Sequence, residues 1–213
     1  MLYFFVKRVV DVTLSLVGIV LTTPLLLITA IAIKIESPGP VFADAPGRVG
    51  KEGEVFKMYK FRSMIKGAHE KLIKDPKFKD FYEKYKKNNF KIRTDEDPRI
   101  TKVGKFIRKT SIDELPQLIN VLRGDMSMVG PRAFHVDELD KQHKRFPHSK
   151  KYTKVAFTVK PGLTGSWQVS GRSRVDYPER IKLDASYARN KSIVYDFIIL
   201  IKTIPAVLKG EGN

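Results

Sequence analysis

The chain contains no cysteine, which excludes disulfides and thiolate metal sites. Its four histidines, His69, His135, His143 and His148, have no metal-ligand spacing, so no zinc site is expected. Acidic residues are scarce beside basic ones. There are 23 Asp and Glu against 40 Lys and Arg, a formal net charge of +17. That imbalance does not select a fold, but it predicts attraction to polyanions. Nucleic acid, the anionic face of a bilayer and phosphorylated small substrates all qualify. Internal repeats and low-complexity linkers are also lacking, and 213 residues suffice for one domain with a modest core.

Charge is missing altogether from Val12 to Ile33. A run of that length can cross a hydrocarbon core as a helix, which needs about 20 apolar residues. It outlasts a signal-peptide core, and no small-x-small cleavage site ends it. Pro24 lies near its middle and removes one backbone donor, while Thr22 and Thr23 stand where hydroxyls can bond freed carbonyls. Lys7 and Arg8 flank one end; Lys34, Arg48, Lys51, Lys57 and Lys60 follow the other. A spanning helix keeps its basic flank mainly on the cytoplasmic side. With both flanks basic, a helix that breaks at Pro24 and returns through the same leaflet competes evenly with a spanning one.

Glu36-Ser37-Pro38-Gly39-Pro40 ends the run. Glu54 to Met64 alternates with period two and predicts a strand or hairpin arm, with Val55, Lys57, Tyr59 and Phe61 on one face and Phe56, Met58, Lys60 and Arg62 on the other. Between Ala68 and Asn89, Phe78, Phe81, Tyr82 and Tyr85 recur at helical spacing and are expected to be buried on the core or at the membrane interface. Ser111 to Arg123 predicts a helix with Leu115, Leu118, Ile119 and Leu122 as its apolar stripe and Gly124 as its stop. Pro178-Glu179 opens a further helix to Asn190. The apolar tail from Ile193 to Leu208, broken by Asp196, Lys202 and Pro205, predicts an amphipathic segment lying on the bilayer or on the domain.

Asp113 and Glu114 are the strongest candidates for chemistry, but a structural role competes. Ser111-x-x-Glu114 is a capping-box pattern, acids in a first turn complement the helix dipole, and Asp113 could itself be the cap. On the motif alone, capping is the better reading. The catalytic one needs neighbours. Mg²⁺ is usually held by one or two carboxylates plus substrate phosphates, and a carboxylate can attack phosphorus to form a mixed anhydride. Lys60, Arg62, Arg108 and Arg132 are the candidate clamps for phosphate charge, each with a solvated surface role as its default.

Taken together, the motifs resemble the monotopic polyprenyl-phosphate phosphoglycosyl transferases, the bacterial sugar transferase family, and within it the branch that handles simple hexoses. The resemblance rests on Lys7-Arg8 and Pro24, on the segments Phe56–Met64, Thr110–Leu118 and Gly124–Arg132, and on Lys160–Arg172. It implies an α+β fold: a re-entrant helix-break-helix over 1–36 with its break at Thr23-Pro24, then a small catalytic domain over 37–213 with amphipathic interfacial helices. It further implies a monotopic protein on the cytoplasmic leaflet of the bacterial inner membrane. The implied reaction moves a hexose 1-phosphate from a UDP-sugar, UDP-galactose or UDP-glucose, to undecaprenyl phosphate, releasing UMP by a ping-pong route.

In that scheme Asp113 is the nucleophile and binds Mg²⁺, and Glu114 assists with metal or proton. Lys60, Arg62, Arg108 and Arg132 meet phosphates, Gln168 and Arg172 meet the nucleotide or sugar, and Lys7 and Arg8 meet anionic lipid headgroups. Nucleic acid is not an expected partner, and a homodimer is left open. Pro131-Arg132-Ala133 departs from the family's Pro-Arg-Pro, and Thr23-Pro24 from its Ser-Pro. Members of that branch often carry extra membrane helices ahead of the catalytic domain, so a short form or an excised domain is expected. The rival readings are a membrane-tethered nucleic-acid binder, a scaffold without catalysis, and an enzyme transferring only the sugar.

Overall fold

The computed structural model describes residues 2–44, 47–87, 94–171 and 175–208. The apolar run forms a single helix, α1 (Leu2–Glu36), with Pro24 inside it. There follow β1 (Arg48–Val49), β2 (Val55–Phe56), α2 (Ala68–Lys74), α3 (Lys79–Lys87), α4 (Lys102–Lys109), α5 (Gln117–Arg123), β3 (Ser127–Val129) and β4 (Phe134–His135). The chain continues through α6 (Val136–Arg145), α7 (Lys150–Ala156), β5 (Gly162–Thr164), α8 (Ser166–Val169), α9 (Tyr177–Asn190) and α10 (Ile193–Leu208). The class is α+β, rich in helix. The strands make an antiparallel sheet in the order β2-β1-β4 and a parallel pair β3-β5, with Ser127 opposite Gly162 and Val129 opposite Thr164.

The expected break at Pro24 is absent from the secondary structure: helix persists on both sides of it. The proline costs the ladder one donor, and the flanking threonines reinforce the neighbouring turns, Thr22 Oγ1 donating to the Gly18 carbonyl and Thr23 Oγ1 to that of Ile19, each at 2.7 Å. At about 1.5 Å per residue the helix runs for about 52 Å, longer than the ~30 Å hydrocarbon core of a bilayer. Only 11% of its most apolar 18-residue window is buried, so it is not the core helix of a water-soluble domain.

Its packing is inverted. Asp11, Ser15, Thr29 and Ile33 face inward, while Leu2, Phe5, Val20, Leu21 and Ile28 are exposed. Charged groups of the helix are matched by the domain. Asp11 Oδ1 accepts from Ser127 Oγ at 3.1 Å and from the Met128 N–H at 3.0 Å. Lys7 Nζ lies 2.9 Å from Asp196 Oδ2 on α10. Arg8 donates to the Val121 and Leu122 carbonyls at the end of α5. At the other end Glu36 accepts the Lys102 and Val103 N–H groups that open α4. The apolar side chains of α10 likewise point outward, Val194, Phe197, Ile201 and Ile204 being exposed while Asp196 and Ile199 are buried. Phe106 of α4 and Ile119 of α5 extend this apolar exterior.

Several expectations need correction. Regular pairing in the predicted strand stops after Phe56; beyond it the chain stays extended, with bridges at Phe61 and Met64. Its alternation fails at residues 61–63, all buried, because Phe61 packs beside Ile33 and Ile107 while α4 covers Ser63 so closely that a Cβ on Gly104 would overlap the Ser63 carbonyl. The α5 stripe is also rotated. Gln117, Leu118, Asn120 and Val121 are buried and Ile119 is exposed, since Asn120 bridges the Tyr59 N–H, the Lys57 carbonyl and Asp125. The aromatics of α3, expected to be buried, are only half-buried, and Phe81 and Tyr85 cover the Arg99 guanidinium. Gly124 ends α5 at φ 90°, and Asp176 caps α9 through the Glu179 N–H.

Asp196→Ala would leave the Lys7 ammonium, whose side chain is 13% exposed, only its longer 3.6 Å contact with Asp11, and the Tyr187 hydroxyl only the Val129 carbonyl. Breaking a buried pair from one side costs about 3 kcal/mol or more. Thermal denaturation of the detergent-solubilised protein should show a fall in Tm of roughly 6–12 °C.

Candidate active site

A cleft of about 320 Å³ lies between the start of α5, the end of α4, the β3–β5 pair and α8. Asp113 sits at its floor in a 3-10 turn, Ile112–Glu114. Ser111, just before, adopts φ 58° and ψ 16°, an uncommon conformation for a non-glycine residue. In that conformation it makes no side-chain cap, so the capping box does not form. The Asp113 carbonyl is pinned instead by the Phe61 N–H at 3.0 Å, which leaves the carboxylate directed into the cleft.

Lys60, on the adjacent extended segment, closes the pair. Its ammonium lies 2.9 Å from Asp113 Oδ2 and 3.3 Å from Glu114 Oε1. The two acids differ in their access to water, side-chain exposure being 3% for Asp113 and 35% for Glu114. Burial pushes the Asp113 carboxyl above its ordinary range, Lys60 and Arg108 oppose that rise, and the Glu114 charge adds to it. The carboxylate is therefore poorly solvated yet held beside a cation, which suits a nucleophile toward an electrophile that brings its own negative charge.

Four cations line the cleft: Lys60, Arg108, Arg48 and Arg132. Arg132 is set by its own backbone, whose N–H donates to the buried Asp184 Oδ2 at 3.1 Å. Its guanidinium lies 5.1 Å from the centre of the Trp167 ring, and that of Arg180 lies 4.2 Å from the same centre. Burial drives Asp184 up to about 7 against the pull of the Arg132 N–H and the two arginines. Gln168 also lines the cleft, and its buried Oε1 has no partner among the described residues. That oxygen is an acceptor waiting for a donor.

Asp113, Glu114, Lys60, Arg108, Arg132 and Gln168 thus converge as expected. Arg62 does not: it is buried outside the cleft and donates to the Pro38 and Ser37 carbonyls at 2.6 and 2.8 Å, closing the end of α1. A planar fork suits that end, because helix termini leave carbonyls without helical donors. Lys7 and Arg8, expected at lipid headgroups, have their cations engaged by Asp196 and by the α5 carbonyls. Arg172 lies outside the described residues. Arg48, Arg180 and Asp184 escaped the sequence reading. The last two are spaced i, i+4 on α9, a faint signal, whereas Arg48 belongs to no motif and reaches the cleft only because β1 pairs with β4.

The donor set fits Mg²⁺. Among the described residues no three acids and histidines cluster, but Asp113 and Glu114 already converge on one cation, the Lys60 ammonium. Two hard carboxylates completed by substrate phosphates are the usual Mg²⁺ arrangement.

The family model for bacterial sugar transferases matches residues 2–210. The chain belongs to the bacterial sugar transferase family. It is 42% identical over 212 residues to the undecaprenyl-phosphate galactose phosphotransferase of Salmonella typhimurium, covering 98% of this chain and 41% of that protein. It is 37% identical over 212 residues to the UDP-glucose:undecaprenyl-phosphate glucose-1-phosphate transferase of Escherichia coli, covering 97% and 40%. With the exopolysaccharide production protein ExoY of Rhizobium meliloti it shares 39% identity over 211 residues, covering 97% and 87%. The chain therefore spans about two fifths of the first two relatives and most of the third. In this sugar transferase the matched span takes in the whole of the cleft and the apolar helix.

Lys60→Ala removes a cation that holds the Asp113 carboxyl down, so that carboxyl should titrate higher still. If the ionised form reacts, the acid limb of the pH profile of kcat/KM should move to higher pH, with activity at neutral pH reduced at least about tenfold. An acid limb that stays in place would separate Lys60 from Asp113.

Proposed function

We propose that this bacterial sugar transferase moves a hexose 1-phosphate from a UDP-sugar, with UDP-galactose or UDP-glucose favoured, to undecaprenyl phosphate. The relatives' names supply the substrate class: a galactose phosphotransferase and a glucose-1-phosphate transferase, both acting on undecaprenyl phosphate. The observation that carries the proposal is the Asp113 carboxylate, buried at the floor of a cleft with four cations around it.

The chemistry runs in two displacements. Asp113 Oδ attacks the β-phosphorus of the UDP-sugar, the bridging oxygen leaves with the α-phosphate as UMP, and an aspartyl phosphosugar remains. An oxygen of the lipid phosphate then attacks the same phosphorus, giving the polyprenyl diphosphate sugar and regenerating the carboxylate. Each step exchanges one anhydride for another, so positioning and charge neutralisation matter more than driving force. Arg48, Arg108 and Arg132 bind the phosphate oxygens, and Gln168 Oε1 accepts from a hydroxyl or amide of the sugar or base. Lys60 keeps Asp113 ionised. Mg²⁺, held by Asp113 and Glu114 with substrate oxygens, would neutralise further diphosphate charge.

The same proposal includes a re-entrant, monotopic seat on the cytoplasmic leaflet, reached by a bend at Pro24 within the continuous helix rather than by a break in it. Asp11 and Ser15 toward one end of α1, and Thr29 and Ile33 toward the other, all pack on the one domain, and no residue between 16 and 28 is buried. A helix fastened to one body near both ends keeps both ends on one side of the bilayer, with its middle around Pro24 free to dip into the lipid. The acceptor phosphate lies at headgroup depth, level with the fastened ends of the helix rather than with its middle.

Purified protein incubated with a panel of UDP-sugars and undecaprenyl phosphate should release UMP; release of UDP would identify a plain sugar transferase instead. Asp113→Asn should release none yet remain folded. Burial raises the Asp113 pKa, so its charge costs the folded state free energy above that pKa, and the cost fades as pH falls toward the ordinary carboxylate value. Asparagine removes the cost at neutral pH, and the Tm of the variant should not fall.

A further inference from the structure

A second cavity, of about 270 Å³, opens at the foot of α1 and is separate from the cleft. The two back onto strand β3 from opposite faces. Met128 lines the cleft, whereas Ser127 and Val129 line the second cavity, as the alternation of a strand requires. Four cations border it, Lys7, Arg8, Lys51 and Lys160, against one carboxylate, that of Asp11.

These cations are not equally free. Lys7 is paired with Asp196 and Asp11, and Arg8 donates to two carbonyls. Lys51, at the rim, is paired among the described residues only with the exposed Glu52 at 3.1 Å. Lys160 has neither an ion pair nor a hydrogen bond from its ammonium to any described residue. It converges with Arg8 over Gly124, where a Cβ would stand 3.2 Å from Lys160 Nζ and 3.7 Å from Arg8 Nη2. Gly124, at φ 90°, thus leaves the room in which two like charges meet. Burial and the neighbouring Arg8 hold the Lys160 pKa below its ordinary value, the direction expected of a cation lacking its counter-charge.

One side of the mouth is apolar: Phe4 lines the cavity and is 55% exposed, at an end of α1 whose Leu2 and Phe5 are also exposed. An anion that satisfied the cavity would therefore stand beside a surface suited to hydrocarbon. We propose that this cavity, on the reverse face of β3 from the catalytic cleft, binds the phosphate group of a membrane amphiphile, with Lys160 as its principal clamp and Lys51 at its rim. The proposal does not depend on the catalytic reading, because none of these side chains reaches the cleft.

The test is a binding titration on the full chain in phosphatidylcholine nanodiscs, following Tm with short-chain phosphatidic acid or inorganic phosphate as probe. An Arg132→Met background weakens anion binding in the cleft. Saturable stabilisation is expected, weakened about tenfold by Lys160→Met and restored by Lys160→Arg. Phosphatidic acid binding at least about tenfold tighter than inorganic phosphate identifies a lipid headgroup, since the apolar mouth then contributes; equal affinity identifies free phosphate as the ligand of the same site. Should Lys160→Met fail to fold, Lys51→Ser at the exposed rim takes its place, with a loss of several-fold expected. Unchanged affinity in the folded lysine variants, or no stabilisation by either probe, overturns the proposal.

Discussion

The structure hangs on a mismatch that the domain resolves: an apolar helix carries a carboxylate, Asp11, and an ammonium, Lys7, on its inner face. Neither can face hydrocarbon without a partner. Asp11 finds Ser127 Oγ and the Met128 N–H on β3, and Lys7 finds Asp196 on α10. These contacts are directional and buried, so they fix the rotation of α1 as well as its adhesion. With that face turned inward, the apolar side chains of α1 and α10 face outward together. An apolar exterior over buried polar pairs fits a membrane-anchored protein.

That docking also sets the site. Arg8 closes the far end of α5, Glu36 opens α4, and Arg62 ties the end of α1 to the segment carrying Lys60. The Asp113 turn lies between α4 and α5, so both helices that position it lean on α1. The strained Ser111 keeps the turn from becoming an ordinary helix start, and the carboxylate is spared for the cleft. Strain of this kind persists where surrounding contacts over-determine the backbone. Here those contacts include the Phe61 N–H on the Asp113 carbonyl.

Local chemistry in the sequence was legible where one element determines the outcome. Pro178 and Glu179 announce the start of α9, Gly124 the end of α5, and the uncharged run announces α1. The grouping of Asp113, Glu114, Lys60, Arg108, Arg132 and Gln168 followed from chemistry joined to family resemblance. What escaped depends on contacts between distant segments. Arg62 has the charge of a phosphate clamp, but the carbonyls that capture it lie 24 and 25 residues away. The inward face of α5 is chosen by Asn120, a polar residue that no apolar stripe includes. Arg48 enters the cleft through strand pairing, and Asp184 bears on it only through the backbone N–H of Arg132, 52 positions distant.

The central claim is that Asp113 becomes covalently bonded to phosphorus during turnover. Intact-mass spectrometry of acid-quenched protein, taken within milliseconds of adding a UDP-hexose without lipid acceptor, addresses it directly. The account predicts a mass increase of one hexose phosphate, localised by proteolysis to the peptide containing Asp113 and discharged on adding undecaprenyl phosphate. UMP release with no adduct at any quench time, or an adduct on another residue, would contradict it.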